Sequence, residues 1–215
     1  MTTTPPSWPL DLLDWKRRVA DMYLAARSAE GGLDALTAFR ASKDALFRSH
    51  PQSPLTAGTR TTFTGLDYFE HHPDLRTECP IEPASDDTDA DISLPVLSGE
   101  AVRARRIGHV RPAMDGSAVT LAVYWLEGYG GGIIIPFRDA TSGTETYGGG
   151  RYLLDTIKSA DLGASSHGAG LIIDFNYAYN PSCAYDPEWV CPLAPIENRL
   201  AIEIRAGERL APGAC

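Results

Sequence analysis

The segment from Asp174 to Leu200 limits the fold of this chain more than any other stretch. Its 27 residues hold five aromatic rings, four prolines, two cysteines, three asparagines, four carboxylates and one arginine. Neither a helical nor a two-residue apolar period runs through its middle, so regular structure is not expected there. Proline withdraws backbone donors and fixes φ, while the rings demand burial. Such a segment reads as an irregular strap pinned across the body of the fold, as functional loops often are. The rest of the chain has to provide the regular scaffold that the strap crosses.

That scaffold reads as α+β. From Leu10 to Ser28, the residues Leu12, Trp15, Val19, Met22 and Tyr23 recur at three- and four-residue spacing, which predicts an amphipathic helix closed by Gly31-Gly32. A second helix is expected from Leu33 to Arg48, stopped by Pro51 and Pro54. Beyond Pro54 the pattern turns to short extended runs: Thr61–Phe63, Leu75–Ile81, Ile92–Leu97, Val102–Val110, Ala118–Leu126, Ile133–Phe137, Tyr152–Leu154, Leu171–Asp174 and Ala201–Ile204. The connections are too short for repeated crossover helices, so antiparallel pairing is expected. Asp115-Gly116 reads as a hairpin turn, and Gly128 to Gly132 as a glycine-rich hairpin. The expected architecture is an N-terminal helical hairpin (residues 10–50) packed on a curved antiparallel sheet or small β-barrel (55–215). Residues 1–9 read as a flexible tail, and 10–215 as one domain, which a chain of 215 residues can support with one core.

Charge excludes some partners. Nineteen basic against 28 acidic side chains leave −9, which argues against nucleic acid, whose binding draws on Lys and Arg contacts to phosphate. Arg103, Arg105, Arg106 and Arg111 form the densest basic stretch, but on a strand Arg106 points away from Arg103 and Arg105, so the charge is divided. No run approaches the roughly 18–20 apolar residues of a membrane span, and Met1 to Pro9 has no signal-peptide pattern. A cytoplasmic location is expected, with Cys79, Cys183, Cys191 and Cys215 mostly reduced.

Several standard chemistries lack the residues they need. Asp87, Asp89 and Asp91 begin a calcium-loop pattern, but Ile92 and Ser98 stand where glycine and glutamate belong. No HExxH or CxxC pattern offers zinc ligands, and His71 and His72 are adjacent, pointing opposite ways on a strand. Gly143 to Gly148 has the gap of a phosphate loop, but Gly149 and Gly150 replace its lysine and hydroxyl residue. No Gly-x-Ser-x-Gly elbow is present. No metal and no cofactor is expected. Cys183 and Cys191 are open to three readings: packing thiols, a disulfide worth about 2–3 kcal/mol, or a reactive thiol.

Longer motifs carry a resemblance. They are Ser53-Pro54-Leu55; Phe63, Gly65, Leu66, Tyr68 and Phe69; the run from Pro136 to Tyr152; the run from Asp174 to Tyr185; Cys191-Pro192; Asn198-Arg199-Leu200; and Ala206-Gly207-Glu208. With these the chain resembles a bacterial family catalogued as domain of unknown function 1684. It departs from the family pattern at Ser182, where a second proline is expected, and at Ala194, which interrupts a denser proline run. The resemblance implies no activity.

The polar residues of these motifs nominate a site. Arg151 and Arg199 can clamp an anion with planar donor forks. Asp174 or Glu197 can take a proton if burial raises its pKa, and Tyr147 or Tyr179 can donate to a developing oxyanion. Asp139, Asn176, Asn180, Asn198 and Tyr179 complete a ligand-binding set, with Thr141 and Thr146 nearby. The expected function is a pocket for a small, partly apolar, anionic metabolite, with metal-free acid–base chemistry (hydrolysis, isomerisation or elimination) as its catalytic form. The alternatives are a non-catalytic ligand-binding or protein-interaction module, and pure scaffolding by the same residues. All of this assumes that the Tyr147–Arg151 turn and the strap enclose a hollow. Oligomeric state is not legible.

Overall fold

The computed structural model describes residues 7–29, 31–84, 91–114, 117–164 and 170–210. The acidic residues Asp87 and Asp89, the Asp115-Gly116 turn, His167 and Cys215 lie outside them. Helix α1 spans Trp8–Ser28 and α2 spans Leu33–Ser49. The first begins earlier than expected because Pro9 suits an opening turn, where no intrahelical donor is required. Gly31 and Gly32, at φ +92° and +93°, turn the chain between them. Tyr23 and Ala26 of α1 meet Leu36 and Phe39 of α2, and this cluster continues into Ala160, Leu162 and Tyr177. The ring of Phe39 bridges Tyr23 and Tyr177, each edge-on at 4.9 Å, so the helical hairpin docks directly on the strap.

Ten strands follow: β1 Arg76–Pro80, β2 Glu82–Pro83, β3 Asp91–Leu94, β4 Val102–Val110, β5 Ala113–Met114, β6 Ser117–Ala118, β7 Leu121–Leu126, β8 Gly132–Phe137, β9 Arg151–Asp155 and β10 Gly170–Asp174, counted among the described residues. The main sheet runs β4-β7-β8-β9, and β2 and β3 share the outer edge of β4. All its pairs are antiparallel, and it stays open rather than closing into a barrel. The pair β1–β10 lies across a common core, where Cys79, Leu171 and Ile173 pack with Leu121, Val123, Ile135, Phe137 and Leu153. Strand β7 is buried on both faces. Leu121 and Val123 enter that core, while Ala122, Tyr124 and Leu126 enter a second one with Leu94, Ile134 and Tyr152. The glycine-rich stretch joins β7 to β8 as a hairpin, with Leu126 opposite Gly132. Pro136 sits beside a register shift between β8 and β9, where the ladder asks for no donor.

Two expected strands are not strands. Thr61 and Thr62 end a short helix, α3 Ala57–Thr62, because the Thr56 hydroxyl accepts from Thr59 N at 3.2 Å and caps it. Local capping overrides the β-propensity of the threonines. Ala201–Ile204 joins no ladder, because its backbone groups have other partners. Ile204 N donates to Asp139 Oδ2 at 2.6 Å, and Ile204 O accepts from Arg151 at 2.8 Å. No helix among the described residues is long and apolar enough to cross a membrane.

Candidate functional site

Arg151 opens β9 and is 1% exposed, and every hydrogen bond of its guanidinium goes to the protein itself. Nη1 donates to Ala206 O and to Glu208 O (3.0 Å); Nη2 donates to Ile204 O (2.8 Å) and Asp139 Oδ2 (3.4 Å). Phe137 lies against the guanidinium, 5.1 Å from its ring centre. Asp139 in turn accepts from Ile204 N, Thr141 and Ser142, and Thr141 meets Thr146 at 2.9 Å. Burial pulls the Arg151 pKa down, and the charge of Asp139 pulls it back up. Gly150, at φ +98°, lets β9 start against Phe137 O, where a Cβ would lie 2.5 Å from that oxygen. This buried knot ties the start of β9 to the chain after β8 and to the C-terminal tail.

The other nominated residues scatter. Asn198 is wholly buried and clips β7 to β8 through Ala122 N (2.8 Å), Ala122 O (3.0 Å) and Pro136 O (2.8 Å). Glu197 accepts from Tyr124 OH at 2.6 Å and pairs with Arg106. Arg199 is exposed. Asp174 accepts from the backbone and side chain of Asn176 (2.9 and 2.8 Å) and faces Arg76 at 3.7 Å. Burial raises its pKa, opposed by those bonds and by Arg76. Asn176 also brackets His72, accepting from its N and donating to its O, both at 2.8 Å. Tyr147 donates to Cys183 Sγ at 3.6 Å. Arg151, Asp139, Asp174, Glu197 and Tyr147 therefore belong to separate neighbourhoods, apart from the Arg151–Asp139 pair.

A hollow does exist beside the strap, walled by the helical hairpin instead of the Tyr147–Arg151 turn. An inner cavity of about 80 Å³ is lined by Trp15, Phe39, Lys43 and Phe47 from the helices and Tyr179, Asn180 and Tyr185 from the strap. Against it sits Glu208, 1% exposed, which pairs with Lys43 through Oε1 and accepts from Asn180 N (2.8 Å) and Tyr185 OH (2.7 Å) through Oε2. Gly207, at φ +76°, brings Glu208 in close to Ala178 and Phe175. Lys43 Nζ also lies 4.8 Å from the Tyr179 ring centre. The Asn180 Oδ1 and the Tyr179 hydroxyl are enclosed yet have no hydrogen-bond partner. Burial holds the Tyr179 phenol far above its ordinary pKa, so it stays a neutral donor.

A second cavity of about 270 Å³ adjoins the first. Trp15, Lys158 and Ser182 line both, and Lys16, Trp189, Val190 and Cys191 complete the outer one. Together they make a cleft with an apolar throat and two lysines at its mouth. Of the nominated residues, Tyr179 and Asn180 line it, and Arg151, Arg199, Asp139, Asp174, Glu197, Asn176, Asn198 and Tyr147 do not. Sequence reasoning missed Lys43, Glu208, Trp15 and Lys158. Lys43 had a readable signal: it stands four residues after Phe39 and four before Phe47, a cation on an apolar helical stripe.

The model of the family described as "Protein of unknown function (DUF1684)" matches residues 61–209. The chain belongs to this family. Its matched region contains the strap, the Arg151 knot and Glu208, whereas Trp15 and Lys43 come from the helices before it. The DUF1684 chain is also similar to a solved structure, the solution structure of an uncharacterized protein from gene locus rrnAC0354 of Haloarcula marismortui. Identity is 32% and the TM-score 0.58, over 83% of this chain and 94% of that one. No curated protein matches.

Proposed function

We propose that this protein binds a small, partly apolar molecule with an anionic group in the cleft between the helical hairpin and the strap. The observation that carries this reading is that two residues lining the inner cavity, Tyr179 and Asn180, each hold an enclosed polar atom without a partner, Tyr179 OH and Asn180 Oδ1. An enclosed polar atom without a partner costs about 1–3 kcal/mol, and native proteins leave few of them. A ligand head that both accepts and donates, such as a hydroxyl, an amide or a protonated acid, satisfies both atoms. The rings of Trp15 and Trp189 offer the apolar wall for its body, and Lys16 and Lys158 offer cations for an anionic end.

Acid–base catalysis has less support. Asp174, the nominated carboxylate whose pKa burial raises, lies outside the cleft. The carboxylate beside the cavity, Glu208, is already held by Lys43, Asn180 and Tyr185. Binding without turnover is the reading the geometry favours.

Saturation-transfer NMR against a panel of aryl and alkyl carboxylates tests it. Y179F and N180A should each weaken a bound member by about ten-fold, the equivalent of roughly 1.4 kcal/mol. Binders whose affinity is untouched by both substitutions, in variants that remain folded, would refute the proposal.

A further inference from the structure

The outer wall of the cleft carries two cysteines held against each other. Cys183 lies on the 3-10 turn Ser182–Ala184, and the chain then folds back: Asp186 N bonds to Ser182 O at 3.2 Å and Trp189 N to Asp186 O at 3.1 Å. Two anchors fix the return. Tyr152 OH donates to Pro192 O, and Leu193 N donates to Pro95 O at 2.7 Å. The result is a pair of buried free thiols facing one another, with Cys191 lining the outer cavity and Cys183 receiving the Tyr147 hydroxyl at 3.6 Å.

Around the Cys191 sulfur the environment is that of an anion site. The Cys183 S–H donates to it, backbone N–H groups of Ser182 and Cys183 point at it, and Lys158 adds positive charge. These donors lower the Cys191 pKa, foremost the Cys183 hydrogen bond, against the opposing effect of burial. Cys183 shifts the other way, because its proton is held in the shared bond. The contrast within the molecule is Cys79: it is as buried as Cys191 (1% against 2% exposed), but it packs in the main core, where burial pushes its thiol up, while Cys191 lines the cavity. A low-pKa thiol that reaches a cavity beside a second thiol is the arrangement of oxidisable cysteines.

We propose that Cys191 and Cys183 form an oxidisable dithiol: the Cys191 sulfur takes an oxygen from a hydroperoxide, and Cys183 closes the disulfide. In the first step the sulfur attacks the peroxide O–O bond and becomes a sulfenic acid, while the peroxide is reduced to hydroxide or an alcohol. In the second, the Cys183 sulfur displaces the sulfenic oxygen, which leaves as water with the Cys183 proton. Two electrons pass from the thiol pair to the peroxide. The disulfide closes the strap on itself at the wall of the cleft, through Cys191, and a dithiol reductant reverses it. This inference rests on the thiol geometry and holds whether or not the cleft takes a small molecule.

The test uses the full chain carrying C215S, treated with limiting hydrogen peroxide and mapped by mass spectrometry. The expected product is a Cys183–Cys191 disulfide that dithiothreitol reverses, while Cys79 stays reduced. In the C183S chain, Cys191 should accumulate a dimedone adduct. In the peroxide-free protein at neutral pH, iodoacetamide should modify Cys191 at least about ten-fold faster than Cys79. Equal rates at Cys79 and Cys191, disulfides only between molecules, or the absence of a dimedone adduct in folded C183S would each overturn the proposal.

Discussion

The Arg151 knot and the helix–strap cleft are built from the same kinds of residue but differ in whether a cavity meets them. In the knot, Arg151 makes four hydrogen bonds to three carbonyls and one carboxylate, and Asp139 is engaged by a backbone donor and two hydroxyls. In the cleft, Glu208 is held by Lys43, Asn180 N and Tyr185, while the enclosed Tyr179 OH and Asn180 Oδ1 have no partner and their residues line a cavity. The lesson is that clustering polar residues beside proline and aromatic anchors does not mark a site. What distinguishes the two is where the leftover polar atoms lie: Arg151 Nε also lacks a partner, but Arg151 lines neither cavity, whereas Tyr179 and Asn180 line the inner one.

The sharpest way to break this comparison is R151A. It strands Asp139, whose side chain is fully buried, and releases three carbonyls. A loss of about 3–5 kcal/mol in chemical denaturation is expected. A loss below about 1 kcal/mol would mean the knot is not structural. Next comes N198A, which unclips β7 from β8 by removing bonds to Ala122 N, Ala122 O and Pro136 O. About 2–4 kcal/mol is expected from the backbone groups left open. N198A, where folded, should keep the cleft intact, because the Asn198 side chain bonds to none of its lining residues.

The smallest effect is expected from D174N, which keeps an acceptor for Asn176 and removes the charge. Burial raises the Asp174 carboxyl above its usual value of 3.8, so the folded protein binds this proton more tightly than the unfolded chain does. Stability from this group is therefore full below the unfolded value and is lost as pH rises through the raised folded value. Wild type should gain on D174N as pH falls from neutral toward 3.8, and D174N should match or exceed it at neutral pH. Parallel stability–pH curves for the two proteins would contradict the assignment.

The regular elements were readable because their signals are local. The three- and four-residue spacing from Leu12 to Tyr23, the extended run Val102–Val110 and the glycines from 128 to 132 each declare themselves within a few residues. Of the two segments that differ from the expected strands, one turns on a local cap, Thr56–Thr59, that outweighs β-propensity, and the other on a distant bond, Ile204–Asp139. The site was least legible. Which polar residue is satisfied depends on partners far away in the chain: Lys43 and Glu208 are 165 residues apart, Asn176 and His72 104, and Arg151 and Glu208 57. One sequence carries no record of those meetings. The strap borders a hollow, but the facing wall is the helical hairpin and not the expected Tyr147–Arg151 turn, and the hairpin's sequence shows only an apolar stripe with a lysine in it.

The most direct measurement is a fragment titration followed by 1H–15N NMR on the assigned protein, including the Asn180 side-chain amide. The account predicts shifts concentrated at Trp15, Lys43, Tyr179, Asn180 and Tyr185, with the resonances of Asp139 and Arg151 unmoved. Shifts centred on Arg151 and Asp139, with the cleft silent, would contradict it.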